Sequence, residues 1–159
     1  MSVLVRVALK DSKEKAAMYL GWIGFALVII GLFSPWGTYT YRPGTNYSVS
    51  GFATTYGFFL VIGALAITAG LLSSTVKLSS VSIAFLGTGA MGTILFTGMF
   101  LTSYYGQGPY GYPEIQYMSV GSFITLTGGF ATVASAILYS LHVRTPTTEE
   151  KPQTSTPAA

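Results

Sequence analysis

Residues 52–72 read FATTYGFFLVIGALAITAGLL, with no Asp, Glu, Lys, Arg or His among them. As a helix at 1.5 Å per residue this stretch is roughly 30 Å long, the thickness of a bilayer's hydrocarbon core. Three more stretches share its character: 16–33, 78–101 and 117–142. Each lacks Asp, Glu, Lys and Arg, and the four run from 18 to 26 residues. One charge at the centre of a span costs about 2.5–3.5 kcal/mol on insertion scales, so four stretches that avoid it predict four membrane-spanning helices. The predicted fold class is all-α, a four-helix transmembrane bundle.

Composition agrees with that reading. Half of the 159 residues are hydrophobic and only 8% are charged. A soluble domain carries about 25% charged residues, enough for a polar shell that this chain cannot build. The net charge of +3 comes without a dense basic cluster, so no nucleic-acid partner is expected. Lipid is the expected partner. The absence of cysteine excludes disulfides, thiolate metal sites and cysteine nucleophiles. The first apolar stretch is longer than the core of a signal peptide, and three further spans follow it. It is read as an uncleaved first span.

The domain plan is a head over 1–15, a transmembrane domain over 16–142 and a tail over 143–159. The head holds Arg6, Lys10, Lys13 and Lys15 against Asp11 and Glu14. It is compatible with a short surface helix and with a frayed terminus. The tail ends TPTTEEKPQTSTPAA, which has nothing to bury and reads as disordered. Head, tail and the short turn at Lys77 carry seven of the eight Lys and Arg; the other is Arg42. The positive-inside rule then places both termini and the Lys77 turn in the cytoplasm of a multi-pass cell-membrane protein.

The two outward loops, SPWGTYTYRPGTNYSVSG and TSYYGQGPYGYPEIQYMSVG, resemble each other. Both are rich in Tyr, Gly and Pro, and both reach a Ser-Val pair, at Ser48 and Ser119. Gly31-x-Phe33 before the first echoes Gly98-x-Phe100 before the second. Two duplicated helical hairpins and convergent hairpin exits both account for these echoes. Pro35 ends the first helix and Trp36 suits the headgroup depth. Trp36, Tyr39, Tyr41, Tyr104, Tyr105, Tyr110 and Tyr112 form a candidate outer contact surface; the alternative is an aromatic belt whose two loops pack together as a cap.

Small residues recur at helical spacing: Gly21 with Ala17 in the first span, Ala84, Thr88 and Gly92 in the third, and Gly121, Thr125 and Gly129 in the fourth. Such residues let helix backbones approach closely in lipid. They are read as helix-packing positions within one bundle, with docking of another membrane subunit or self-association as the alternative. Asn46-Tyr47-Ser48 is a sequon on the outer side, which makes Asn46 a candidate glycosylation site. His142 is the only histidine and is read as an interfacial cation near a helix end. Glu114 and Arg42, lone charges in the outward loops, could pair but form no acid–base dyad. No catalytic residue, metal site or cofactor is expected.

In its Pro35-Trp36 exit and its final helix led by Gly121-Ser122-Phe123 through Gly128-Gly129, the chain resembles small four-span proteins of prokaryotic genomes, archaeal ones among them. These motifs are weakly specific, and the resemblance implies a layout and no function. Claudin-like tetraspans share the layout, but their Gly-Leu-Trp and paired-cysteine signature is absent. With no charge, His or Cys deep in a span, the expected role is a non-enzymatic structural or accessory subunit. The alternative is a channel or transporter for a neutral solute, lined by Thr54, Thr55, Thr88, Thr93, Thr97, Thr125, Thr127 and Thr132.

Overall fold

A computed structural model describes the backbone over residues 3–42, 45–76, 80–104 and 115–143, and the side chains over 12–38, 47–75, 80–102 and 119–141. The elements in chain order are α1 (Val3–Phe33), β1 (Pro35–Arg42), β2 (Thr45–Ser50), a 3-10 turn (Gly51–Ala53), α2 (Gly57–Val76), α3 (Ser80–Tyr104), β3 (Ile115–Met118) and α4 (Val120–Val143). The stretches Ser12–Phe33, Gly57–Thr75, Ser80–Thr102 and Val120–Leu141 are long and apolar enough to cross a bilayer. They support a multi-pass membrane protein, a four-helix bundle in contact with lipid.

The surface agrees. Phe58, Leu65, Phe85, Met91, Leu95, Phe130 and Leu141 all point outward, while the buried polar set is Ser82, Thr93, Thr97, Ser122, Thr125, Thr132 and Ser135. A water-soluble bundle puts its large apolar side chains inside and its polar ones outside. Here seven hydroxyl side chains are buried while many large apolar ones face out, which suits a solvent as apolar as the protein.

The closest helix pairs are α1 with α4 and α2 with α3, joined by contacts between α3 and α4. Each close pair is antiparallel by chain direction. Ala17, Val28, Ala64, Ile67, Leu71, Leu86, Ala136 and Tyr139 form one core cluster. Leu32, Trp36, Leu60 and Phe100 form a second, at the sheet end.

Serine and threonine hydroxyls in a helix can satisfy themselves on carbonyls of the preceding turn, which matters where lipid offers no partner. In the last turn of α2, Ser73 donates to the Gly70 carbonyl (3.1 Å), Ser74 to Leu71 (2.7 Å) and Thr75 to Leu72 (2.7 Å). At the end of α1, the Ile30 carbonyl accepts from the Ser34 N–H at 3.0 Å and from the Ser34 hydroxyl at 2.7 Å. Pro35 has no N–H for the Gly31 carbonyl. The Trp36 indole Nε1–H donates to that carbonyl at 2.7 Å, beside a longer bond from the Ser34 N–H at 3.2 Å.

Helix boundaries differ from the sequence expectation by a few residues at most ends, and three of the differences have a visible cause. The residues read as a separate head join α1, which runs unbroken from Val3. The second span begins at Gly57 rather than 52, because the chain first makes the Gly51–Ala53 turn, closed by the Thr54 hydroxyl on the Gly51 carbonyl (2.6 Å). The fourth begins at Val120 rather than 117, because Ile115–Met118 pairs as a strand. The tail read as disordered lies outside the described residues from 144 onward.

Strands from the α1–α2 and α3–α4 connections meet in one antiparallel sheet of order β2-β1-β3. Thr38 faces Ser48 on one side and Tyr117 on the other; Gly37 faces Val49 and Met118. The described parts of the two loops thus pack together as a shared cap, one of the two arrangements expected of them. The Ser-Val echoes fall in different elements: Ser48-Val49 within β2, Ser119-Val120 at the start of α4.

Candidate functional site: the cap junction and the open face of α3

Trp36 joins the sheet to the bundle. Its side chain is 0% exposed and lies edge-on to Phe100, with ring centroids 4.9 Å apart. Its backbone carbonyl accepts from the Ser119 N–H at 3.0 Å. Gly51 and Gly121 both lie against its ring. A Cβ on Gly121 would come within 2.8 Å of Trp36 Cδ1, and one on Gly51 would strike the indole. The indole therefore touches the ends of α1 and α3, the start of α4 and the approach to α2. This corrects the expectation that Trp36 belongs to an outer contact surface. With its N–H committed to Gly31, the ring has no free polar edge to present.

Of the other expected contact residues, Tyr39 and Tyr41 lie on β1 and Tyr104 ends α3, positions whose side chains are outside the described set. Tyr105, Tyr110 and Tyr112 lie outside the described residues, as does Glu114. Asn46 lies on β2, opposite Thr40, and the next residue, Tyr47, is 51% exposed. His142 falls in the last turn of α4, also without a described side chain. Among the described residues no three His, Cys, Asp or Glu side chains gather as metal ligands.

Inside the bundle one small unit recurs. In Gly121-x-x-x-Thr125, Gly128-x-x-x-Thr132 and Gly89-x-x-x-Thr93, the threonine hydroxyl donates to the glycine carbonyl four residues back, each at 2.9 Å. A glycine of a neighbouring helix sits over each pair. Gly24 lies over Gly128 and Thr132, where a Cβ would be 2.5 Å from Thr132 Oγ1 and 2.8 Å from the Gly128 carbonyl. Gly63 lies over Gly89 and Thr93 at 3.1 and 2.9 Å. Gly31 lies over Gly121 and Thr125 in the same way. The threonine satisfies its own hydroxyl and leaves a shallow seat that only a residue without Cβ can enter. Of the expected packing residues, Gly21 abuts Leu71 and Ser135, and Gly129 abuts Ile94. Gly121 lies against Ser34, Pro35 and Trp36, and Thr125 is buried under Gly31.

Ala84, Thr88 and Gly92 do not pack inside. Ala84 and Thr88 are exposed, and a Cβ on Gly87, Gly92 or Gly98 would meet no atom within 4 Å. The correction has a plain cause. α3 turns Ser82, Leu86, Ala90, Thr93, Thr97 and Phe100 inward, and the opposite side is left to lipid. There Ala84, Gly87, Thr88, Met91, Gly92 and Leu95 line an open groove of about 620 Å³. Further along, Thr102 donates to the Gly98 carbonyl at 3.1 Å, a fourth Gly-x-x-x-Thr unit with no glycine seated on it among the described residues.

Comparison with protein families, characterised proteins and solved structures yields no match. The hydroxyls expected to line a polar path do not converge on one. Thr93, Thr97, Thr125 and Thr132 are buried, each bonded to its own helix. Thr55, Thr88 and Thr127 are exposed.

Proposed function

We propose that this protein is a non-enzymatic subunit of a larger membrane assembly, which it joins through the lipid-facing side of α3. The supporting observation is the contrast between its glycines. Gly21, Gly24, Gly31, Gly63, Gly70, Gly89, Gly121, Gly128 and Gly129 each meet a neighbouring element within van der Waals distance, whereas Gly87, Gly92 and Gly98 meet nothing. Glycine is destabilising in a helix interior by roughly 0.5–1 kcal/mol relative to alanine. Inside the bundle, close backbone approach offsets that cost. On α3 the same compensation comes from a helix of another subunit or a second copy.

The distribution of Lys and Arg supports an orientation in the cell membrane with both termini in the cytoplasm. The sheet then faces outward as the subunit's exposed cap. A channel for a neutral solute is the weaker reading, because the hydroxyls it needs divide between bundle interior and lipid surface.

The test is the mass of the particle extracted in mild detergent at native expression. The wild-type protein is expected in a particle larger than its 16.9 kDa monomer. The paired variant Gly92→Leu, Gly98→Leu is expected to release a monomer whose unfolding stability is no lower than that of the wild type. A wild-type particle of monomer mass, free of other proteins, overturns the proposal.

A further inference from the structure

We draw no further inference here: the strongest candidate, the open groove along the lipid-facing side of α3 from Ala84 to Leu95, belongs to the surface already proposed as the contact face, and nothing in the structure shows which helix covers it.

Discussion

Replacing Trp36 with alanine removes a buried side chain that touches the ends of α1 and α3, the start of α4 and the approach to α2. Three contributions are lost together. The indole hydrogen bond to the Gly31 carbonyl is worth about 0.5–1.5 kcal/mol. The edge-on pair with Phe100 adds about 0.5–1.5 kcal/mol. Burial of the rest of the ring against Leu32, Leu60, Gly51 and Gly121 brings the total to the ~3–5 kcal/mol typical of a buried Trp→Ala change. Trp36→Phe keeps most of the packing and is expected to lose only about 0.5–1.5 kcal/mol, the share of the hydrogen bond. Reversible unfolding in mixed micelles, followed by far-ultraviolet circular dichroism, measures both. A headgroup-belt tryptophan would behave otherwise. If Trp36→Ala changes stability by less than ~0.5 kcal/mol, the size of an ordinary surface substitution, the keystone role of this residue is wrong.

The glycine seats make a second prediction. Gly24→Val places a Cβ 2.5 Å from Thr132 Oγ1 and 2.8 Å from the Gly128 carbonyl, and a backbone atom cannot yield as a side chain can. A loss of at least ~1–3 kcal/mol is expected in the same unfolding assay; wild-type stability would show that α1 and α4 do not meet there. Ser135→Ala removes the 2.6 Å bond from its hydroxyl to the Ala17 carbonyl, which joins α4 to α1. Hydrogen bonds between membrane helices average about 0.6 kcal/mol and reach ~1.7, so a loss within that range is expected. Thr127→Val should leave stability within ~0.5 kcal/mol, since this exposed hydroxyl bonds only within its own helix, to the Phe123 carbonyl; a larger loss would place it inside the bundle.

The four spans were legible because charge is excluded from lipid so strongly that its absence over 18 or more residues leaves few other readings. The sheet was not legible, because β3 has four residues and its pairing of Met118 with Gly37 joins positions far apart in the chain. One local clue was there: the alternating Thr38-Tyr39-Thr40-Tyr41 and Tyr47-Ser48-Val49 flank a Pro43-Gly44 pair, a hairpin signal. Pro35-Trp36 was recognised as a helix exit, but the indole's inward turn depends on Gly51 and Gly121, which arrive from two other segments. The stripes of small residues were equally plain in α3 and α4. Which of them would face a neighbour was hidden, since a helix apolar on all sides carries no periodic mark of its buried face.

In the proposed orientation four helices cross the bilayer with the sheet on the outer side and the α2–α3 turn in the cytoplasm. The chain has no cysteine, so single-cysteine variants report cleanly. Tyr47→Cys, on the sheet, and Lys77→Cys, in the turn, can each be exposed to a membrane-impermeant maleimide on intact cells. Labelling at position 47 alone, with position 77 reacting only after permeabilisation, is the predicted result; labelling of both positions from the same side would contradict the account.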